Sequence, residues 1–371
     1  MDFDFTEDQQ SLREAVRRWV DKAYTFERRA AIVDAGGFDR TAYDELAQLG
    51  LAALAIPEEH DGMGFGPIDA MVVMEELGRG IVLEPLAQTL IASNVLARFA
   101  PEAIKRQWLP RMARGEALVV LAQQESTSRY RLDACAAQAQ RRDGGHVVSG
   151  HKSIVAAGDQ ADAWLVPARL DGAIALFLVE RGAAAATANG YLTQDGSRAA
   201  EVRLEGSPAT LLTIDGTAAL ELAMDTGIAA TSAYAVGAME KTLAVTADYM
   251  NQRKQFGVAI ASFQALRHRV TDMKMQLELA RSMSYFASLK LGDAPQGRRR
   301  ALSQAKVQIG HSMRFIGQQA VQLHGGIGVT DEYIVSHYFK ALTQLEMSFG
   351  DTLYHLGEVS ARMEEIAGVF G

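Results

Sequence analysis

The hydrophobic period of this chain changes twice, and that double change limits the folds open to it. Up to about residue 115 apolar residues recur at helical spacing, as in Leu12, Val16, Trp19 and Val20 behind the capping signal Thr6-Glu7-Asp8-Gln9. Between about 117 and 207 they gather into short runs at 118–122, 146–149, 163–166, 175–179 and 201–204. Asp143-Gly144-Gly145, Asp171-Gly172 and Asp195-Gly196 punctuate them, and short runs between Asp-Gly turns predict antiparallel strands. From about 214 helical spacing returns, with Val236, Met239, Leu243, Ala247 and Met250 on one face and Ile309, Met313, Ile316, Ala320 and Leu323 on another. The prediction is a mainly α protein with a central β-domain, divided at 1–116, 117–213 and 214–371.

Composition narrows the function. A chain of 371 residues, 48% of them hydrophobic, can bury a substantial core. A formal net charge of −8 argues against a general nucleic-acid binder, which needs clustered cations to neutralise phosphates. The one basic triplet, Arg298-Arg299-Arg300, reads as a solvated helix start. No apolar run approaches the roughly 20 residues of a membrane span. The acidic N-terminus lacks the order of a secretory signal, so a cytoplasmic protein is expected. Cys135, the only cysteine, builds neither a disulfide framework nor a cysteine zinc site within one chain. There is no H-E-x-x-H and no G-x-S-x-G, and the glycine-rich stretch Asp61 to Pro67 lacks a preceding strand, so it reads as a turn.

Two segments carry chemistry. Arg253-Lys254-Gln255-Phe256-Gly257-Val258-Ala259-Ile260-Ala261-Ser262-Phe263 places a bidentate cation and an aromatic ring where a long helix ends, a combination suited to a pyrophosphate. Gln322-Leu323-His324-Gly325-Gly326-Ile327-Gly328 ends a later helix on paired glycines whose backbone a ligand can approach closely. Taken singly, the first is a solvated helix end and the second an ordinary helix stop.

In this order the pair resembles the acyl-CoA dehydrogenase family, whose members carry R-x-x-F-G-x-x-I/L before one helix and Q-x-x-G-G-x-G after a later one. The resemblance implies an N-terminal helical domain, a small β-barrel and a C-terminal four-helix bundle. It implies FAD as cofactor, and α,β-dehydrogenation of an acyl-CoA thioester to the 2-enoyl-CoA. Electrons then pass to an electron-transfer flavoprotein or similar acceptor. Cofactor-binding roles fall to Gln124, Arg253, Phe256, Ile260, Phe263, Gln322, Gly325 and Gly326. Arg253, Phe256 and Gln322-Gly325-Gly326 would reach the FAD of a neighbouring subunit, which makes the protein an oligomer.

The family's usual base, a Glu before Gly-Thr, is missing. Aligned on Gly350, Phe349 stands at its place, and the alternative position on the helix before Arg253 falls near Gly227. Asp225, Glu346 and Asp351 are the nearby carboxylates. Asp351 is the preferred catalytic candidate, because the Phe349-Gly350 turn could redirect its side chain. Against that role, Asp is strongly favoured as an N-cap, and Asp351 precedes Thr352-Leu353-Tyr354 at the start of the last helix. Where relatives have Thr-Glu-Pro this chain has Gln124-Glu125-Ser126, and where they have G-x-K-x-W/F it has Gly150-His151-Lys152-Ser153-Ile154, which lacks the stacking ring.

Tyr24-x-Phe26-Glu27-x-Arg29, Ser128-Arg129-Tyr130 and His337-Tyr338-Phe339-Lys340-Ala341-Leu342-Thr343 look like small subunits of the pimeloyl-CoA dehydrogenase type. That similarity implies dicarboxylyl-CoA substrates and a large acyl-CoA dehydrogenase subunit as partner. Homo-oligomer and heteromer both remain open, the second accounting for the vacant base position. His324 reads as a helix-end side chain, and the methionines at helical spacing as core.

Overall fold

The computed structural model describes residues 5–363. Along the chain run α1 (Glu7–Ala23), α2 (Phe26–Asp34), α3 (Arg40–Gln48), α4 (Pro67–Arg79), α5 (Leu86–Phe99) and α6 (Glu102–Ala113). Strands follow: β1 (Val119–Leu121), β2 (Gln138–Arg142), β3 (Gly145–Ala156), β4 (Ala163–Leu170), β5 (Ala173–Glu180), β6 (Ala186–Leu192) and β7 (Arg198–Thr213). Then come α7 (Gly216–Gln252), a hairpin of β8 (Lys254–Gln255) and β9 (Val258–Ala259), and α8 (Gln264–Lys290), α9 (Pro295–His324), α10 (Ile334–Met347) and α11 (Thr352–Ala361). Two units alternate along the sequence: Met1–Arg28, Met71–Val82 and Ile228–Gly371 in one, Arg29–Ala70 and Leu83–Gly227 in the other.

The second unit holds the barrel. Strands β2, β3, β7, β5 and β4 pair in a closed ring, antiparallel except where β4 meets β2, which leaves no free edge within the ring. β1 adds to β4 in parallel, and β6 covers β7. The turns are those the sequence predicts: Asp143 and Gly144 both have positive φ, as do Asp171 and Gly172, the backbone a tight two-residue hairpin requires. Trp164, Val166, Phe177, Val179, Val202 and Leu204 alternate inward to form the barrel core.

In the first unit the capping box is present: Gln9 N donates to Thr6 Oγ1 and Thr6 N to Gln9 Oε1, each at 3.2 Å. Val236 and Met239 of α7, Met273 and Leu277 of α8, Ile309, Met313 and Ile316 of α9 and Leu342 of α10 share one core, so these methionines are packing residues. The α4 and α7 backbones touch at two glycines. A Cβ at Gly78 would stand 1.9 Å from Tyr234 O, and one at Gly237 1.7 Å from Glu75 O. Beside this crossing Glu75 and Glu76 are buried and accept from Arg13 and Arg17 of α1 and from Arg281 of α8.

The basic triplet corrects one expectation. Residues 298–300 do lie at the start of α9, but Arg298 is buried, not solvated. It falls on the face of Leu302, Ala305 and Ile309, so its aliphatic stem is carried inward with them.

Candidate functional site

The Arg253 segment is a two-residue hairpin. Phe256 (φ 52°) and Gly257 (φ 82°) form its tip between β8 and β9, and Ile260 N closes its base on Arg253 O at 2.8 Å. A left-handed phenylalanine is costly, and here it thrusts the ring outward to 92% exposure, 6.2 Å from the Phe263 ring and nearly perpendicular to it. Arg253 is exposed and its guanidinium has no partner among the described residues. Ile260 points the other way and is buried in the bundle core, anchoring the hairpin.

Tyr249 brings the second segment to the first. It lies one turn before Arg253, donates its hydroxyl to His324 O at 3.1 Å and stacks on the His324 ring at 4.4 Å. The end of α7 and the Gly325-Gly326 turn therefore form one corner, a juxtaposition that spacing alone did not reveal. His324 is buried, burial lowers its pKa, and its Nδ1 bonds to Ala320 O at 2.8 Å. It packs the corner, as a helix-end side chain. Gln322, Gly325 and Gly326 are exposed, and a Cβ added at Gly325, Gly326 or Gly257 would meet nothing within 4 Å. Bare backbone, an uncompensated guanidinium and two presented rings fit the pyrophosphate and aromatic parts of a flavin nucleotide.

A second feature of the same unit is the turn between α10 and α11. Phe349 (φ 58°) is left-handed and rests partly buried against the bundle core. Gly350 (φ 109°) is obligatory, since a Cβ there would lie 2.5 Å from His355 Nε2. Asp351 caps α11, its Oδ1 accepting from Tyr354 N at 2.8 Å. Glu346 is buried and accepts from Thr352 N at 3.0 Å and Thr352 Oγ1 at 2.6 Å. Both nearby carboxylates thus bind the N-terminus of α11, where four backbone donors lack helical partners.

In the other unit, Glu125 and Lys152 form a buried pair at 2.6 Å, and Glu125 also accepts from Ala136 N at 2.7 Å and Ala137 N at 3.1 Å. Burial alone would raise the Glu125 pKa, but Lys152 and the two amides outweigh it and lower it. Sequence reading missed this pair, although both members sit inside the two motifs it singled out. Cys135 lies beside them, and burial raises its thiol pKa, which makes it unreactive. Gln124, half-buried, accepts Ser153 N on its backbone oxygen at 2.8 Å. Next after Ser153, Ile154 (φ 53°) bulges out of the β3–β7 ladder and is 48% exposed. Glu201 holds this bulge: its carboxylate accepts from Ile154 N at 3.4 Å and Tyr191 OH at 3.1 Å and meets His151 Nε2 at 2.8 Å. Burial and the Glu201 bond push the Tyr191 pKa up to about 12. Asp225 is buried in α7. Among the described residues no cluster could hold a metal ion, and no helix is long and apolar enough to cross a membrane.

Residues 6–116 match the family profile described as acyl-CoA dehydrogenase, N-terminal domain, and residues 215–364 match acyl-CoA dehydrogenase, C-terminal domain. The acyl-CoA dehydrogenase IpdE2 of Mycobacterium tuberculosis is 32% identical over 90% of this chain and 90% of its own. Among solved structures, the Tcur3481-Tcur3483 steroid ACAD superposes with a TM-score of 0.90 at 28% identity, covering 98% of this chain and 99% of the other. The ChsE4-ChsE5 complex from Mycobacterium tuberculosis gives a TM-score of 0.90 at 25% identity over the same shares.

Proposed function

Because this chain belongs to the acyl-CoA dehydrogenase family, we propose that it serves FAD-dependent α,β-dehydrogenation of an acyl-CoA thioester as one subunit of a heteromeric assembly. In this reading its 253–263 and 322–326 segments complete a flavin site, and a large partner subunit brings the base. The turn at 349–350 carries the proposal. A phenyl ring takes up no proton, and the adjacent carboxylates of Glu346 and Asp351 are engaged at the start of α11. Two of the similar structures bear two-component names, which supports the same reading.

FAD, when bound, supplies the hydride acceptor. Toward it, Arg253 offers a bidentate donor for the pyrophosphate, Phe256 and Phe263 an apolar face, and Gly325 and Gly326 open backbone. Gln322 offers an exposed amide to the same corner. The electrons so accepted would be destined for an electron-transfer flavoprotein or similar acceptor. The test is Arg253→Ala in the assembled protein. Loss of a charge-assisted phosphate contact weakens FAD retention by roughly ten- to a hundredfold. Unchanged retention after gel filtration would contradict the cross-subunit role.

One observation favours a second reading, in which the chain oxidises its substrate unaided. Asp351 lies two residues from position 349, and a carboxylate leaving its cap would be at hand. Asp351→Asn separates the two, because Asn caps a helix nearly as well as Asp. If Asp351 is the base, acyl-CoA-driven flavin reduction falls by about 10²–10⁴-fold; if it is a cap, reduction is unaffected.

A further inference from the structure

Three backbone atoms around the Phe349-Gly350 turn are gripped from behind by side chains of the bundle interior. Lys306 of α9, fully buried, donates Nζ to Leu345 O at 2.6 Å, a carbonyl in the last turn of α10. His355 of α11, also buried, donates Nε2–H to Phe349 O at 3.0 Å, while Ser303 of α9 donates its hydroxyl to His355 Nδ1 at 3.2 Å. Glu346 holds Thr352 N on the far side of the turn. The strained residue at the centre is thus fixed at its own carbonyl and on both flanks. A left-handed non-glycine residue persists only where its surroundings over-determine it, and such residues gather at functional sites. None of this is needed merely to end one helix and start another, since the Asp351 cap and Gly350 already do that.

We propose that Lys306 and His355 are positioning residues, a buried clamp that presets the direction in which the side chain at position 349 faces the reacting end of an acyl-CoA. This rests on the reading above that the turn belongs to the acyl-CoA site. Charge supports the geometry. Burial holds Lys306 well below the usual lysine range, at about 7, against the pull of Glu346 and Asp351. Burial first and Lys306 second push His355 down to about 3, with Arg299 lowering it further and Asp351 opposing. Arg314, the remaining cation at this network, pairs with Glu346 at 3.2 Å. His355 is therefore neutral with its proton on Nε2, and Lys306 gains or loses a charge near neutrality beside the turn it holds.

The experiment uses the FAD-loaded assembly of this chain with a large acyl-CoA dehydrogenase subunit, in which this chain is wild type or carries Lys306→Met, His355→Leu or His355→Asn. Amide exchange is followed by mass spectrometry, and the flavin absorbance change on adding butyryl-CoA is followed between about pH 6 and pH 9. Lys306→Met and His355→Leu accelerate exchange at residues 349–352 at least tenfold with the barrel strands unchanged, and His355→Asn, which keeps a donor, restores most of the protection. The wild-type response to butyryl-CoA has a pH break near neutrality that Lys306→Met lacks. Unchanged exchange at 349–352, or acceleration spread evenly over all helices, overturns the clamp. Altered exchange with no butyryl-CoA response at any pH overturns the placing of this turn at the acyl-CoA site, and the positioning role with it. Should both apolar variants fail to fold, Ser303→Ala removes only the hydroxyl behind His355. A smaller acceleration confined to the same segment then supports the clamp, and none overturns it.

Discussion

Lys306 and His355 bind fewer protons in the folded chain than in the unfolded one, and the sign of the resulting pH dependence follows. The folded Lys306 value is about 7 against an unfolded 10.5, and the folded His355 value about 3 against 6.5. In each window the unfolded state carries the extra proton, so stability rises with pH across it and is lost on acidification. For one proton the slope is at most about 1.4 kcal/mol per pH unit. Urea midpoints of wild type should therefore climb between about pH 7 and pH 10, and Lys306→Met should flatten that climb. Equal slopes would show that Lys306 keeps an ordinary affinity for its proton. Little of this was legible beforehand. Asp351 as cap candidate was readable from local order, whereas Phe349 at the place of the family's base was only what the resemblance implied. The clamp was not, because Ser303, Lys306 and His355 are brought together only by the packing of α11 on α9, where Gly310 lets Thr352 approach.

At the scale of elements, Ile154 in the β3 bulge is the test of stored strain. A β-branched residue at positive φ costs roughly 1–2 kcal/mol, and glycine's greater freedom in the unfolded chain returns about 0.5–1 of that. Ile154→Gly should thus stabilise by about 0.5–1 kcal/mol, a rise of roughly 1 °C in the melting temperature of a chain this long. A lower melting temperature would mean that the Ile154 side chain packs more than it strains. The bulge also explains why the β3 expectation stopped short. Apolar alternation covers 146–149, but the strand continues to Ala156 through exposed His151 and the break after Lys152. β2 and β6 were missed outright, since their largely exposed residues, Gln138, Arg141 and Arg142 in one and Asn189 and Gly190 in the other, carry no apolar period. The Asp-Gly turns were legible because positive φ leaves few residue choices. The β8–β9 hairpin was not, because Phe256 takes a place in its turn that Asn or Asp would signal.

For the whole molecule, the sequence order of helices, strands and helices was enough to predict the architecture, and the family profiles agree with it at both ends. Activity is less local. In the proposed assembly the exposed ring of Phe256, the Arg253 guanidinium, which has no partner among the described residues, and the open backbone at 325–326 would face a cofactor shared with another subunit. Flavin chemistry in the proposed assembly needs two chains of different kinds. The most direct test is an anaerobic acyl-CoA titration followed by flavin absorbance, run on this chain loaded with FAD and on the same chain mixed with a large acyl-CoA dehydrogenase subunit. Bleaching is expected in the mixture and none in the chain alone. Stoichiometric bleaching of the flavin by this chain unaided would contradict this expectation.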